Sequence, residues 1–233
     1  MNFPDVVRGD SLALQVYNAI RLRIREGAIP CDHFFSESEF GTSMGVSRTP
    51  VREALLALFR EGLVEIVPKR GFRLVDLNDD DIAEIRLLRV ALEKLVVERL
   101  CIRATPKDVE SLRNMLAEQR DSKSHIFELD EAFHLRMATL AGLPETGRLL
   151  LGVRGKMYLI ASGTRVPAIR TDQVLLEHIR IVDTIERRDV HVAQRVIAEH
   201  IDRSIDSFLA ARSSRETNQR SPLKTKTARL RSL

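Results

Sequence analysis

Cysteine is scarce in this chain of 233 residues, and long apolar segments are missing. The two thiols, Cys31 and Cys101, lack the spacing of a zinc knuckle and give no framework for a disulfide-rich domain. No apolar run approaches the roughly 18 residues of a membrane helix. The first residues, MNFPDVVRGD, contain no basic patch followed by an apolar stretch, so we expect no signal peptide. Together these absences predict a cytoplasmic protein that does not enter a membrane.

The remaining composition is typical of a soluble globular protein. With 44% hydrophobic and 30% charged residues, the chain is long enough for one or two domains. Its net charge of +4 is concentrated at the C-terminal end, where one acidic residue, Glu216, accompanies six basic ones: Arg215, Arg220, Lys224, Lys226, Arg229 and Arg231. We expect residues 213–233 to form a basic disordered tail. The overall charge therefore says little about a folded nucleic-acid surface.

Three helices and a hairpin are predicted in the N-terminal third. Ser11 can cap a first helix that ends near Gly27, and the capping box of Ser36 and Glu39 opens a short second helix that ends at Gly45. A third helix begins at residues 47–50, with its proline in the first turn. Two β-prone runs, 63–67 and 72–77, then flank the sequence Pro-Lys-Arg-Gly. This order predicts a winged helix-turn-helix over residues 10–76, preceded by an arm at 1–9.

The rest of the chain is predicted to be helical. Breaks such as Thr105-Pro106, Gly142-Leu143-Pro144 and the turn near Asp189 separate about six segments. The segments cover residues 79–103, 106–121, 124–141, 145–162, 170–186 and 190–211. We therefore expect a mainly α protein, with an all-helical bundle over residues 77–212 as its second domain.

The start of the third helix carries the strongest local signal for DNA binding. Its first turns offer two hydroxyls and two arginines: Ser47, Thr49, Arg48 and Arg52. Arg48 and Arg52 are four residues apart and share one helix face. A helix that enters the major groove uses such N-terminal residues on bases and phosphates. Lys69 and Arg70 at the hairpin tip are placed to reach a neighbouring groove. The alternative is that a hydroxyl only caps the helix and the arginines are solvated.

The segment SESEFGTSMGVSRTPVREALLALFREGLVEIVPKRG resembles the DNA-binding domain of GntR-family bacterial transcription regulators. The resemblance covers residues 10–76, and SRTPVREAL is specific to that family. It implies a homodimer on palindromic double-stranded DNA, with Arg48 and Arg52 on bases or phosphates and Ser47 and Thr49 in support. It also implies that the wing near Gly71 contacts the minor groove. Some members have a DNA-contacting basic residue where this chain has Ser38, so that contact is expected to be weaker or absent.

A carboxylate and three histidines predict a metal site in the helical domain. Asp130 and His134 are four residues apart and project from one face of a helix. His178 and His200 lie about equally far from the turn near Asp189, so they are level if the last two helices are antiparallel. Three imidazoles and a carboxylate suit zinc best, and also nickel, cobalt, manganese or iron. The alternative is that these histidines are ordinary buried or surface groups.

The same four residues also resemble the metal-binding set of the FCD ligand-binding domain, which belongs to the FadR-type branch of the GntR family. A count of about six helices is closer to the VanR-like subgroup than to FadR itself. The resemblance implies that a small organic acid binds over the metal. Arg86 and Arg89 are candidate partners for its carboxylate, and Arg89 with Glu93 matches the family's Arg-x-x-x-Glu pattern.

Three functions remain open at this point. The favoured one is a non-enzymatic transcription regulator whose operator affinity responds to the acid. A metal-dependent hydrolase fused to a DNA-binding module is less favoured, because the sequence contains no HExxH motif and offers no obvious unligated general base beside the four ligands. A constitutive architectural protein, in which the helical domain only dimerises, is the third.

Overall fold

The computed structural model describes residues 11–122, 126–162 and 168–220. The chain divides into two compact units, with the boundary between Asp76 and Leu77. The predicted arm at 1–9 lies outside the described residues. Within the described ranges, no helix combines the length and the apolar character needed to cross a membrane.

The N-terminal unit begins with three helices: α1 (Leu12–Arg25), α2 (Glu37–Met44) and α3 (Arg48–Arg60). The Ser11 hydroxyl accepts a hydrogen bond from the Leu14 amide at the start of α1. Ser36 and Glu39 form the predicted capping box at the start of α2. The core of the unit is formed by apolar side chains that helical spacing places on the facing sides of α1 and α3: Val16, Ile20, Ile24, Val51, Ala54, Leu55 and Leu58.

Two glycines allow the tight connection between α2 and α3. Gly45 ends α2 in the left-handed conformation, with φ at 67°. A Cβ atom on Gly41 would lie 2.9 Å from the Val46 carbonyl oxygen. The backbone after the turn therefore packs directly on α2 because Gly41 has no side chain.

A two-stranded antiparallel sheet, the wing, completes this unit. Strands β1 (Val64–Val67) and β2 (Gly71–Leu74) pair with Val64 opposite Leu74 and Val67 opposite Gly71. Both strands are shorter than predicted, since β1 begins one residue later and the pairing ends at Leu74 rather than at residue 77. Phe35 forms an isolated bridge to Phe72, which ties the segment before α2 to the wing.

The C-terminal unit is an all-helical bundle. Its helices are α4 (Asp79–Arg103), α5 (Pro106–Asp121), α6 (Ile126–Leu140), α7 (Pro144–Gly155), α8 (Met157–Ile160), α9 (Ala168–Glu186) and α10 (Val190–Arg220). Capping boxes at Asn78 with Asp81 and at Thr105 with Asp108 fix the starts of α4 and α5. Helix α10 packs against α4 and α9, while α5 packs against α6 and α9. The mainly α fold with a winged helix-turn-helix is confirmed.

Two predicted boundaries in this unit are wrong. The single helix predicted over 145–162 is interrupted after Gly155, a poor helix former, so the described part of the unit contains seven helices rather than six. The disorder predicted from residue 213 does not begin there, because α10 continues to Arg220. No glycine or proline occurs between Val190 and Pro222 to end that helix. The rest of the predicted tail, 221–233, lies outside the described residues.

Candidate DNA-contacting surface and candidate metal centre

The start of α3 presents the four predicted side chains to solvent. Ser47, Arg48, Thr49 and Arg52 are all exposed. Ser47 occupies the N-cap position at the start of α3, yet its side chain makes no capping hydrogen bond, so the hydroxyl is free of that role. Arg52 lies 3.8 Å from Glu37 but is 69% exposed, which makes this a weak surface contact. The first turn of α3 thus offers two cations and unpaired backbone N–H groups to an anionic partner.

The wing tip presents two more cations, but Gly71 has a structural role. Lys69 and Arg70 are exposed, and the Arg70 guanidinium lies 3.7 Å from the centre of the Phe34 ring. Gly71 has a φ of 102°, and a Cβ atom there would lie 2.3 Å from the Phe35 carbonyl oxygen. Glycine is therefore required at this position for backbone packing, whatever contact the wing makes.

Four side chains predicted to bind metal converge in the C-terminal unit. Asp130 and His134 project from α6, His178 from α9 and His200 from α10. One ligand atom from each of the four lies within 4.8 Å of the others. The three histidines are at most 1% exposed, whereas the Asp130 side chain is 26% exposed. The level placement expected for His178 and His200 is present, since their ring centres are 4.7 Å apart.

Each imidazole is oriented by an acceptor at its Nδ1 atom. The Nδ1 of His200 lies 2.8 Å from Glu177 Oε2, and that of His178 lies 3.0 Å from Gln119 Oε1. The Nδ1 of His134 contacts Glu93 Oε2. A neutral imidazole that donates from Nδ1 keeps its Nε2 lone pair for another partner. The contacts at Nδ1 therefore leave the Nε2 atoms of His178 and His200 available to a metal, while His134 Nδ1 pairs with the Glu93 carboxylate.

The Nε2 atoms give a direct test of whether the site fits a cation. Among the described residues, Nε2 of His134, His178 and His200 is buried without a hydrogen-bond partner. The nearest acceptor to His178 Nε2 is Asp130 Oδ1 at 3.3 Å. Buried polar atoms are costly when unpaired, and three of them facing one carboxylate fit a bound divalent ion. The residues present therefore suit the metal that was predicted.

The electrostatics around these ligands favour the forms that coordinate a metal. Burial lowers the pKa of His200 to about 4, although the bond to Glu177 acts in the opposite direction. Burial, reinforced by Arg154, also lowers the pKa of His134 well below its ordinary value. Burial disfavours ionised Asp130, yet the adjacent Arg154 guanidinium holds the pKa of that carboxyl well below its usual range. At neutral pH the two imidazoles are uncharged and the carboxylate is ionised.

The two predicted effector-binding arginines are placed differently. Arg89 is buried, donates to Glu93 Oε1 from Nε at 3.0 Å and from Nη2 at 2.9 Å, and lines a cavity that Asp130 also lines. Arg86 does not line this cavity, because its guanidinium pairs with Asp202 and Asp206 on α10. Arg86 thus ties α4 to α10 in this structure, and its expected role toward an effector stays a prediction.

Sequence reasoning missed most of the groups that support this centre. The sequence patterns do not point to Glu177, Gln119 or Arg154 as groups beside the histidines. Glu93 enters only as part of the family's Arg-x-x-x-Glu pattern. Arg170, which pairs with Glu177 at 2.8 Å, was missed as well. One signal was available in the sequence: Glu177 directly precedes His178, a candidate metal ligand, on α9. Gln119 and Arg154 carry no such signal, since only the packing of α5 and α7 brings them to the histidines.

Comparison with protein families assigns both units. Residues 12–74 match the model described as bacterial regulatory proteins of the gntR family, and residues 84–203 match the FCD domain. The chain belongs to the GntR family. It is a DNA-binding transcriptional regulator with an FCD domain as its helical unit.

Individual relatives agree with this assignment. An HTH-type transcriptional regulator in an unstable DNA locus of Streptomyces ambofaciens is 30% identical over 74% of this chain and 75% of the relative. The Nta operon transcriptional regulator of Aminobacter aminovorans is 30% identical over 75% of this chain and 83% of its own length. The solved structure of E. coli McbR/YncC shares the fold, with a TM-score of 0.71, 20% identity and coverage of 87% of this chain and 99% of that one.

Proposed function

We propose that this GntR-family regulator binds a divalent metal in its FCD domain and that a small organic acid, bound over the metal, controls its affinity for operator DNA. The observation that carries the proposal is the convergence of three unpaired Nε2 atoms on Asp130. Such a centre has no evident role in a protein whose helical unit only dimerises. Because operator DNA lies in the bacterial cytoplasm, that is where we infer the protein acts.

The metal is held by Asp130, His134, His178 and His200. When bound, a divalent ion supplies a positive centre that attracts a carboxylate. Zinc is the favoured ion for three imidazoles and one carboxylate, and nickel, cobalt, manganese and iron suit the same ligands. Glu93, Gln119 and Glu177 keep the three rings oriented whether or not the ion is present.

The acid reaches the metal from the side of Asp130. This side chain is the one ligand of the four that is partly exposed, and it lines a cavity together with Arg89. Of the two arginines predicted to pair with the carboxylate of the acid, Arg89 is the better placed, because Arg86 pairs with Asp202 and Asp206. For the acid to control DNA binding, it must bind one conformation of the protein more tightly than another.

DNA contact is assigned to α3 and the wing. Arg48 and Arg52 act on bases or phosphates in the major groove, supported by the hydroxyls of Ser47 and Thr49. Lys69 and Arg70 contact the backbone or the adjacent minor groove from the wing tip. This division of roles is supported by the exposure of all six side chains on the N-terminal unit.

A homodimer on a palindromic operator is supported by an apolar strip along α4. Leu88, Leu95 and Ile102 are 44%, 46% and 60% exposed. They recur every seven residues, so they lie close to one line along the helix. A strip of this kind is complementary to itself, and two copies paired through it bury the same residues twice. A two-fold protein matches two half-sites of opposite orientation.

Two finer points of classification remain predictions. Placement in the VanR-like subgroup depends on whether α7 and α8 count as one helix or two. A hydrolase is disfavoured because the carboxylates beside the centre already have partners, with Glu93 held by Arg89 and Glu177 by Arg170. A general base needs an accessible proton acceptor.

Thermal-shift screening of the metal-loaded protein against organic acids tests the proposal. We expect at least one acid to raise the melting temperature of the wild type but not of His134→Ala or His178→Ala. If both variants keep full metal content and the acid response, the proposed centre is wrong. Turnover of esters, amides or lactones that requires the metal would instead support the hydrolase.

The DNA assignment has its own experiment. Arg52→Ala is expected to cost about 1–3 kcal/mol of specific binding, measured by titration of labelled operator DNA. Arg60→Ala, at the other end of α3 and also exposed, is the matched control and is expected to change little. Unchanged affinity of Arg52→Ala would remove Arg52 from the DNA interface.

A further inference from the structure

The cavity beside the metal centre is lined by both polar and apolar side chains. Its polar lining consists of charged groups and hydroxyls: Arg89, Asp130, Arg170, Thr171, Ser204 and Ser207. Its apolar lining consists of five side chains on α6, α8, α9 and α10: Ile126, Phe127, Met157, Val174 and Phe208. Phe127 and Phe208 are stacked, with ring centres 5.5 Å apart and planes inclined by 27°. Both rings are only partly buried, so they offer apolar surface to whatever fills the cavity.

Most of the polar groups along this cavity are already committed to the protein. Arg89 donates two hydrogen bonds to Glu93. Arg170 donates to both oxygens of Glu177, at 2.8 and 3.1 Å, and to the Ser204 hydroxyl at 3.0 Å. One buried donor without a partner among the described residues is Nε of Arg170. The arginines of the described walls are therefore mostly paired within the protein, and Nε of Arg170 has room for one further acceptor.

The charge balance points to a ligand with one negative charge. The region around the centre contains three buried guanidinium groups, those of Arg89, Arg154 and Arg170. It also contains four carboxylates, of which Glu93 and Glu131 are buried and Asp130 and Glu177 are partly exposed. Histidines that bind a metal are neutral. Three positive and four negative side chains give this set a net charge of about −1. A divalent ion changes the net charge to about +1, and a single carboxylate on the ligand restores neutrality.

We propose that the effector is a monocarboxylic acid with an apolar body, either an aryl acid or a medium-chain alkyl acid. Its carboxylate lies beside Asp130, and its apolar body extends out of the cavity, whose volume is about 50 Å³, over the partly exposed rings of Phe127 and Phe208. This inference rests on the proposed function, since it assumes a metal-dependent acid site. It excludes polycarboxylic acids, because a second carboxylate would make the site negative.

Calorimetric titration with matched acids tests the inference. Benzoate, hexanoate, acetate and succinate are titrated into the zinc-loaded full-length protein and into protein treated with a chelator. We expect benzoate or hexanoate to bind at least tenfold more tightly than acetate, and succinate to bind no more tightly than acetate. If succinate binds most tightly, the inference is overturned while the proposed function stands. If none of the acids binds and no other organic acid shifts the melting temperature, the proposed function fails with it.

Substitution of Phe208 separates the apolar lining from the metal centre. Phe208→Ala is expected to weaken benzoate or hexanoate about tenfold, with acetate affinity and zinc content unchanged. Phe208→Leu should retain hexanoate binding, and Leu176→Ala, on the exposed face of α9, is the control. Should Phe208→Ala prove unstable, Phe127→Leu replaces it in the same titration. Equal weakening of acetate and of the larger acid by these variants would overturn the inference.

Discussion

Glu177 Oε2 lies 2.8 Å from Nδ1 of His200, across the interface of α9 and α10. Glu177 comes directly before His178, so one turn of α9 supplies both a proposed metal ligand, His178, and the group that orients a second one, His200. Burial opposes ionisation of Glu177, but its bonds to His200 and Arg170 bring its pKa down to about 2. His200 therefore donates from Nδ1 to a full negative charge and directs Nε2 to the centre.

Replacement of Glu177 by glutamine tests this relationship. Glu177→Gln keeps an oxygen acceptor but removes the charge, so the imidazole becomes a weaker donor to the metal. We expect the affinity for zinc to fall about 10- to 100-fold in competition with a chromogenic chelator. Glu199→Gln, which alters a surface carboxylate on α10, should leave the affinity unchanged. Equal zinc affinity in Glu177→Gln and the wild type would show that the charge has no part in the centre.

The α4 strip gives a prediction about assembly. Leu95→Arg places a charge in the middle of the strip and is expected to weaken self-association at least tenfold, about 1.4 kcal/mol, in sedimentation velocity. The control is Leu176→Arg, since Leu176 is a more exposed leucine on α9. If Leu95→Arg remains as dimeric as the control, the dimer forms elsewhere on the chain.

The convergence of the four proposed metal ligands could be predicted from the sequence because their spacing is regular. Asp130 and His134 are one helical turn apart, and the turn at Asp189, which accepts a hydrogen bond from the Val192 amide, makes His178 and His200 level. The groups that surround and orient the histidine rings show no such regular spacing. Gln119 and Arg154 reach the centre only through the packing of α5 and α7, and no local pattern encodes that packing.

The other differences between prediction and structure have similar physical causes. The guanidinium of Arg86 has the same chemistry as that of Arg89, and only the position of α10 decides that Arg86 pairs with Asp202 and Asp206. The interruption after Gly155 depends on a glycine that is tolerated in many helices. The polar composition after Arg212 predicts disorder, although α10 continues to Arg220.

Gly71 yields a prediction about stability. Gly71→Ala introduces a Cβ atom 2.3 Å from the Phe35 carbonyl oxygen at a φ of 102°, so it is expected to destabilise the N-terminal unit by about 1–3 kcal/mol. Urea denaturation monitored on that unit measures the change. Gly152→Ala is the contrasting control, because an added Cβ there meets nothing within 4 Å and alanine favours a helix. A neutral Gly71→Ala would contradict the close packing of Phe35 on the wing.

The thiol of Cys101 should be inert in the native protein. Burial, with a further contribution from Asp189, raises its pKa to about 11, and its residue is 2% exposed. Because the thiolate is the reactive form, alkylation should stay slow between pH 7 and pH 9 and accelerate only as the pH approaches 11 or the protein unfolds. The variant Cys31→Ser leaves Cys101 as the sole thiol, so a thiol-specific reagent reports on it directly. Rapid labelling at pH 8 would mean that the packing between α4 and α9 opens in solution.

The metal content of the purified protein is the most direct test of the account. Elemental analysis should find about one divalent ion per chain in the wild type and in His191→Ala, whose histidine is exposed on α10. It should find almost none in His178→Ala, which removes one of the converging Nε2 atoms. A wild-type protein that remains free of metal after incubation with zinc, or a His178→Ala variant that retains a full complement, would contradict the account.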